Sequence, residues 1–189
     1  LEVLDGSHSG GHPAFQRGRF LLSFRVTNAL ALMDPVVGKI VWYQKGPWRS
    51  QHQPSLLANG NILLFNNHGS RKDGAARALA SDGKATERGH SEILEYDPVA
   101  RKVVWRYAGT PGQKKFYSGA AGSVARLPNG NLLASLSFQG RAVEITPAGR
   151  IVWEYRAPFE IDGKVPNTPE YVRLPRDFPL DWIPAESGE

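Results

Sequence analysis

The stretch "YDPVARKVVWRY", residues 96–107, has the composition of a turn followed by a β-strand. Asp97 and Pro98 start the turn, because proline fixes φ near the value that a turn needs and aspartate accepts backbone hydrogen bonds. The run "KVVW" at 102–105 then places two valines before a tryptophan, and β-branched and aromatic residues favour strands. The stretch therefore predicts the turn and returning strand of a β-hairpin.

Two further stretches follow the same pattern, "MDPVVGKIVWYQ" (33–44) and "ITPAGRIVWEY" (145–155). Each has an apolar residue, Asp or Thr, then Pro, a short turn, a basic residue, two β-branched residues and Trp. The repeated tryptophans are Trp42, Trp105 and Trp153. They are 63 and 48 residues apart, and the longer interval contains an extra loop at 67–91. Without about 20 residues of that loop, both intervals approach the 40 to 50 residues of a propeller blade.

A second repeat lies upstream of the tryptophans. "LLANGNILLF" (56–65) matches "RLPNGNLLAS" (126–135), and "RGRFLLSF" (17–24) is a degenerate version. The Asn-Gly pairs at 59–60 and 129–130 favour two-residue hairpin turns, whose central residues need positive φ angles.

The repeats predict an all-β fold, because short strands alternate with turns and no stretch has a sustained helical period. The spacing favours a β-propeller over a sandwich, with about three to four blades of antiparallel strands at 1–155. The repeated tryptophans are expected to be largely buried between blades. Residues 156–189 are Pro-rich and are expected to form a C-terminal extension that packs Tyr171, Phe178 and Trp182 on the last blade.

The composition excludes several classes of function. Hydrophobic residues make up 41% and charged residues 22% of 189 residues, with no apolar run long enough to span a membrane. The sequence contains no cysteine, which excludes thiolate metal sites. The net charge is +5, but the basic residues are scattered and lack interleaved aromatic residues, which argues against nucleic-acid binding. The densest basic cluster, expected to be a solvated loop, is Arg71, Lys72, Arg77, Lys84 and Arg88.

The order of these motifs, above all "QH" before "NGNILLFNN", resembles the bacterial arylsulfotransferases over residues 1–155, and "YVRLPRDFPLDWIP" resembles the end of such a chain. The resemblance implies a β-propeller enzyme that needs no cofactor. It would transfer a sulfuryl group from an aryl sulfate to a phenol through a sulfohistidine, independently of phosphoadenosine phosphosulfate. It also implies a periplasmic or secreted location.

The resemblance assigns the nucleophile to His52 and the sulfate-binding cation to Arg25. Asn66, in "FNNHG", stands where the family often has aspartate, and it is expected to contact substrate. A second site histidine of the family would precede Leu1, and a late threonine of the family falls near Ala121.

The chemistry of sulfuryl transfer suits these residues. A neutral imidazole can attack sulfur, and a fixed guanidinium can stabilise the charge that develops on the sulfuryl oxygens. Tyr117 and Ser118 are candidates for lining the pocket, although strand-end packing explains them equally well. Lys114 and Lys115 are either solvated or positioned to attract anionic esters.

Other interpretations of the same residues stay open. His52 taken alone fits a loop histidine that is hydrogen-bonded to the backbone, whereas His68 and His90 are expected to be exposed. These three histidines lack the spacing typical of a metal site, and no metal is expected. The alternative function is a non-catalytic propeller that serves as a binding or scaffold module. In either case, a short array of blades leaves open sheet faces, so self-association is expected.

Overall fold

The computed structural model describes residues 1–8, 10–67, 90–109, 115–179 and 181–182. Within those ranges the chain forms strands β1 (Glu2–Val3), β2 (Phe20–Phe24), β3 (Ala29–Asp34), β4 (Lys39–Lys45), β5 (His52–Leu56), β6 (Ile62–Asn66), β7 (Glu92–Asp97), β8 (Lys102–Tyr107), β9 (Ser123–Arg126), β10 (Leu132–Leu136), β11 (Arg141–Ile145) and β12 (Ile151–Arg156). A single 3₁₀ turn at Ser137–Gln139 is the only helical element among the described residues. The predicted basic cluster, His68 and Lys114 lie outside the described residues.

The strands form three four-stranded sheets, β1–β4, β5–β8 and β9–β12, each paired in chain order. Every pairing between neighbouring strands is antiparallel. The first strand of a sheet contacts the first or second strand of the preceding sheet, as in the β2–β5, β5–β9 and β6–β9 contacts. Each sheet is therefore a propeller blade, and the predicted all-β propeller class is confirmed.

The predicted Asp-Pro and Thr-Pro turns join the third and fourth strands of each blade. Asp97 Oδ1 accepts hydrogen bonds from the backbone N–H groups of Val99 and Ala100, at 2.8 and 2.9 Å. Asp34 caps its turn in the same way. In the third blade the Thr146 hydroxyl instead accepts from the Arg150 N–H at 3.1 Å. Each turn residue thus satisfies backbone donors that the sheet leaves unpaired.

The prediction of two-residue Asn-Gly turns is wrong. Leu57 N–H donates to the Asn61 carbonyl, and Gly60 N–H donates to the Leu57 carbonyl, so the loop has three residues. Only its last residue, Gly60, has a positive φ, of 82°. The loop at 128–130 repeats this geometry. Such a loop is a three-residue turn that ends on a left-handed glycine, and the preceding asparagine caps it with its side chain.

The three repeated tryptophans occupy equivalent positions, as predicted. Each lies on the fourth strand beside a register shift in the pairing with the third strand. Their burial differs, however, and the prediction that all three are largely buried is wrong for Trp153. Trp42 is 8% exposed and belongs to the core between the first two blades, whereas Trp153 is 45% exposed.

The difference follows from what lies against each ring. The Trp105 indole N–H donates to the Pro147 carbonyl of the third blade at 3.1 Å. Within the described residues no complete fourth blade stands against Trp153 in the same way. Its ring stacks beside Tyr155, with centroids 6.4 Å apart, as the Trp105 ring stacks beside Tyr107.

Two apolar clusters fill the spaces between blades. The first joins residues of the first and second blades, and Trp48 packs edge-on against Tyr96 within it at 5.0 Å. The second joins the second and third blades and includes Phe65 and Phe116. Because each cluster draws on two neighbouring blades, burial of these side chains fixes one blade against the next.

Residues beyond β12 contact the third blade. Tyr171 is half-buried against Leu127, Leu133 and Ala142 of that blade. The Phe178 and Trp182 rings, which were expected to pack there too, are exposed.

Arg141, which is buried, and Glu154, which is partly exposed, form an ion pair in the third blade that makes stability depend on pH. The hydrogen bond from Arg141, with Nη2 2.9 Å from Glu154 Oε2, holds the pKa of Glu154 at about 2. A carboxyl with a depressed folded pKa stabilises the fold fully above about pH 4.5, and it loses that contribution as the pH falls toward 2. We expect Glu154→Gln to lower the free energy of unfolding at pH 7 by about 2 kcal/mol, because Arg141 stays buried without a charged partner. Urea unfolding across pH 2–7 should show that the free energy of unfolding of this variant depends less on pH below about pH 4.5 than that of the parent.

Arg156→Gln is the matched control, since Arg156 also contacts Glu154 but is more than half exposed. Its effect should stay below about 1 kcal/mol. Equal effects of the two substitutions would contradict the assignment to the pair of Glu154 with the buried Arg141.

Candidate functional site

The candidate site lies at one end of the second blade, where β5 begins, β6 ends and β7 begins. His52 is the first residue of β5 and stands opposite Phe65 of β6. Asn66, the last residue of β6, stands opposite Glu92, the first residue of β7. Antiparallel pairing therefore gathers polar residues from three distant parts of the sequence at one edge of the sheet.

His52 is half-buried, and its Nδ1 atom is held on one side of the ring. Nδ1 lies 2.6 Å from Asn67 Oδ1 and 3.0 Å from the Ser50 carbonyl oxygen. The Ser50 contact matches the backbone-bonded histidine that the sequence left open. The Asn67 contact brings a second side chain to the ring.

The orientation of the Asn67 amide is fixed by the third blade's leading segment. Its Nδ2 donates to the carbonyl oxygens of Ser118 and Ala121, at 2.9 and 2.5 Å. Oδ1 must then face His52, so both neighbours of the His52 Nδ1 atom are acceptors. Nδ1 therefore carries the ring proton in the neutral form, and Nε2 carries the lone pair.

A serine pair supports this arrangement from behind. Ser91 Oγ lies 3.1 Å from the carbonyl oxygens of both Asn67 and Ser118, and it accepts the Ser118 N–H at 2.9 Å. Ser118 is fully buried, and its own hydroxyl donates to the Ala120 carbonyl. Ser118 thus supports Asn67, and its backbone carbonyl oxygen, rather than its side chain, makes the contact with Asn67.

Asn66 is buried, like Ser91 and Ser118. Its Oδ1 accepts the Arg49 N–H at 2.8 Å, and its Nδ2 donates to Glu92 Oε2 at 3.0 Å. Glu92 is buried as well, and its other oxygen is 3.4 Å from Arg106 Nη1. Both polar atoms of the Asn66 side chain are engaged with protein partners, while Asn67 is the neighbour that contacts His52.

Tyr117 is half-buried near this segment. Lys115 Nζ lies over its ring, 5.1 Å from the centroid, and burial raises the pKa of the Tyr117 phenol. The phenol is thus neutral at physiological pH, and its ring already carries a cation on one face.

Arg25 lies in the turn that joins β2 and β3 on the first blade, and it is half-buried. That turn is attached to the residues just before His52. Asn28 Oδ1 accepts the Ser50 N–H at 2.8 Å, and Ser23 Oγ donates to the Gln51 carbonyl at 3.2 Å. The structure therefore brings the turn of Arg25 to the segment that carries His52.

Backbone strain is concentrated around the site. Four residues other than glycine have positive φ angles here: Asn28 (55°), Ser50 (49°), Gln53 (43°) and Ala121 (55°). Side chains other than asparagine seldom adopt this region, and each instance costs on the order of 1–3 kcal/mol. All four residues either carry or adjoin a group that hydrogen-bonds around His52, which holds these conformations in place.

Asn67 and Ser91 are site residues that sequence reasoning missed. Asn67 directly follows β6, and its side chain acts across the gap between blades, which no local pattern reveals. The doubled asparagine at 66–67 is the one available signal, since two adjacent amides at a strand end can serve opposite sides of the sheet.

Comparison with known proteins finds solved structures similar to this chain. No curated protein matches it. Among solved structures it is similar to a protein of unknown function from Bacteroides caccae, at 21% identity over 72% of this chain and 57% of that chain, with a TM-score of 0.37. It is also similar to virginiamycin B lyase from Staphylococcus aureus, at 14% identity over 84% of this chain and 59% of that chain, with a TM-score of 0.39. The chain thus spans little more than half the length of these structures.

No helix in the described ranges is long and apolar enough to cross a membrane. The sequence profile of the family described as arylsulfotransferase (ASST) matches residues 3–158, which is most of the chain and includes all three blades. This chain belongs to the arylsulfotransferase family.

Proposed function

We propose that the protein carrying this chain transfers a sulfuryl group from an aryl sulfate to a phenol, with His52 as the nucleophile and without phosphoadenosine phosphosulfate. The observation that carries the proposal is the pair of acceptors on His52 Nδ1. They direct the lone pair to Nε2, which makes a neutral nucleophile without a separate base. Family membership supports the same class of reaction.

In the first step, His52 Nε2 forms a bond to sulfur while the bond from sulfur to the aryl oxygen breaks, and a phenolate leaves. The ring gains positive charge, which the Asn67 and Ser50 oxygens stabilise through the Nδ1 proton. In the second step, the oxygen of the acceptor phenol bonds to sulfur, the nitrogen–sulfur bond breaks, and the phenol proton leaves to solvent. Nε2 recovers its lone pair, and the protein returns to its starting form.

The charge on the sulfuryl oxygens requires a fixed cation, and Arg25 is the residue we propose for it. The attachment of its turn to Ser50 and Gln51 supports that role, because it fixes the turn relative to His52. Tyr117 is proposed to stack on the aryl ring. Ser118 and Asn66 are proposed to act indirectly, as buried polar residues that support the residues around His52. A periplasmic or secreted location is proposed from family membership.

The direct test is to detect the intermediate. The protein is incubated with 4-nitrophenyl sulfate, and the proteolytic peptide containing His52 is examined by mass spectrometry. A peptide heavier by one sulfuryl group, with fragmentation that locates the group on His52, is the expected result. An unmodified peptide, together with no release of 4-nitrophenol, would favour the alternative of a non-catalytic binding module.

Asn67 is expected to act as a positioning residue. Asn67→Leu removes the acceptor from Nδ1, so kcat should fall by about 10- to 100-fold while KM changes little. Asn67→Asp keeps an acceptor oxygen but loses the Nδ2 donor to Ser118 and Ala121, so it should restore only part of the loss. ¹⁵N NMR of the imidazole should show a mixture of tautomers in Asn67→Leu and the Nδ1–H form in the parent. An unchanged tautomer in Asn67→Leu would contradict this role, even if activity fell.

Arg25→Lys is expected to lower kcat/KM by about tenfold, because an ammonium cannot make the planar two-pronged contact with sulfate oxygens. Steady-state kinetics with 4-nitrophenyl sulfate and phenol measures the effect. Arg17→Lys is the control, since Arg17 is exposed on the same blade away from His52. Equal activity of the two variants would exclude Arg25 from sulfate binding.

A further inference from the structure

A β-bulge directly follows His52 on the first strand of the second blade. His52 and Ser55 pair with alternate residues of β6, so Gln53 and Pro54 together stand opposite a single residue, Leu64. Gln53 also has a positive φ, of 43°. Bulges of this kind re-aim side chains and are common beside active sites. The backbone therefore sets Gln53 apart from the regular alternation of the strand.

The Gln53 amide holds a carboxylate from a distant part of the sequence. Its Nε2 donates to Glu170 Oε1 at 2.5 Å, across a separation of 117 residues. Glu170 is exposed, and its other oxygen, Oε2, has no hydrogen-bond partner among the residues that the structure describes. Because Gln53 is the neighbour of His52 in the chain, this contact brings a carboxylate oxygen without a described partner to the segment that carries the proposed nucleophile.

The backbone on both sides of Glu170 is anchored to the third blade. Tyr171 N–H donates to Ser135 Oγ at 2.8 Å, and Ser137 Oγ donates to the Pro169 carbonyl at 3.2 Å. Both neighbours of Glu170 are thus held by the sheet rather than by solvent. This restricts the positions that the carboxylate can take, which a reacting group requires.

These anchors lie at the end of the blades where His52 lies. Ser135 pairs with Ser123 in the third blade, just as Phe65 pairs with His52 in the second. Ser123 and His52 are each the first residue of the first strand of their blade. The segment that follows β12 therefore passes the candidate site at the level of His52 before it reaches the second blade.

The second step of the proposed reaction releases a proton that His52 cannot accept. While the sulfuryl group is on Nε2, that nitrogen has no lone pair. Nδ1 already carries a proton, which faces the Asn67 and Ser50 oxygens. The hydroxyl of the acceptor phenol becomes acidic as its oxygen bonds to sulfur, so a positioned carboxylate can accept its proton in the transition state.

Glu92 also lies at this end of the second blade, but its surroundings do not suit that role. It is 2% exposed, its Oε2 accepts from Asn66, and its Oε1 lies 3.4 Å from Arg106 Nη1. Glu170 is exposed and has an oxygen with no described partner. Glu170 is therefore the better placed of the two to meet an acceptor that enters from solvent.

We propose, resting on the proposed function, that Glu170 is the general base for the acceptor phenol. The phenol oxygen bonds to sulfur as the bond between sulfur and His52 Nε2 breaks, and the electron pair of that bond returns to Nε2. The phenol proton passes to Glu170 Oε2 and from there to solvent. Gln53 is a positioning residue, because its amide donates to Oε1 and leaves Oε2 to accept the proton. The first step needs no base when 4-nitrophenolate is the leaving group.

The test separates the two steps by rapid mixing, in the protein that carries this chain. 4-Nitrophenyl sulfate alone should give a burst of 4-nitrophenol, which reports sulfation of His52. Phenol is then added, and loss of the sulfuryl group from the His52 peptide is followed by mass spectrometry. In Glu170→Gln the burst should keep its rate within about twofold, while transfer to phenol should slow by about 100-fold or more. Glu160→Gln, which changes an exposed carboxylate of the same segment, should match the parent in both steps.

An acceptor that is already ionised distinguishes a general base from a structural role. With 4-cyanophenol at a pH where it is ionised, no proton has to be removed, so Glu170→Gln should transfer within about twofold of the parent rate. Equal slowing with phenol and with ionised 4-cyanophenol would overturn the assignment. A burst in the parent followed by equal transfer to phenol in the parent and in Glu170→Gln would overturn the general base alone. A parent without a burst would overturn it together with the proposed function.

Discussion

Replacing His52 by asparagine is expected to reduce transfer from 4-nitrophenyl sulfate to phenol by ~10⁴-fold or more, measured in the protein that carries this chain. Asparagine keeps a polar group of similar reach but has no lone pair on nitrogen with which to attack sulfur. Every turnover that passes through a sulfohistidine is lost as a result. The fold should survive, because His52 is only half-buried and contributes two hydrogen bonds at the sheet edge.

His90→Asn is the matched control. His90 lies one residue from Ser91, and its Nε2 is 3.5 Å from Glu92, but it makes no described contact with His52. Its activity should stay close to that of the parent. If the His52 variant retained more than about a tenth of the parent rate with an unchanged melting temperature, direct transfer between donor and acceptor would replace the covalent mechanism.

Trp42→Ala is expected to lower the free energy of unfolding by about 3–5 kcal/mol, whereas Trp153→Ala should lower it by about 1 kcal/mol or less. The positions are equivalent in the repeat, so local strand propensity is matched between them. What differs is burial, because Trp42 packs at 5.2 Å against Phe15 and is 8% exposed, whereas Trp153 is 45% exposed. Urea denaturation followed by far-ultraviolet circular dichroism measures both variants.

A small loss for Trp42→Ala would show that the first blade contributes little to the cooperative fold. A large loss for Trp153→Ala would show that a further strand or chain covers its face in solution. The two outcomes are separable, since Trp42 lies between the first and second blades and Trp153 lies on the outer strand of the third.

The strands, turns and repeat of this fold were predictable because their signals are local. Asp34, Asp97 and Thr146 cap turns with their own side chains, so the residues that form each turn also reveal it. Burial of the tryptophans was not predictable in the same way. The sequence around Trp153 matches that around Trp42, and only the neighbouring blade distinguishes the two environments.

The candidate site was also only partly predictable from the sequence, because some of its determinants are local and others are not. His52 was identifiable through a family pattern, but its tautomer depends on Asn67, and the orientation of Asn67 depends on the carbonyl oxygens of Ser118 and Ala121. These backbone acceptors belong to a different blade and carry no side-chain signal. The match of Arg-Leu-Pro at 173–175 to Arg-Leu-Pro at 126–128 was missed because no Asn-Gly turn follows the later segment.

The Asn67 amide links His52 to the third blade, so the geometry of the candidate site depends on how the blades pack. Its Oδ1 contacts His52, and its Nδ2 donates hydrogen bonds to the backbone that leads into the third blade. If that blade drifted outward by little more than an ångström, the Nδ2 contacts would lengthen beyond hydrogen-bonding range and the amide would be free to turn over. An amide turned over would present a donor to His52 and move the lone pair to the buried nitrogen. Insertions or deletions at 118–122 would therefore be expected to abolish activity although Arg25, His52 and Tyr117 stayed unchanged.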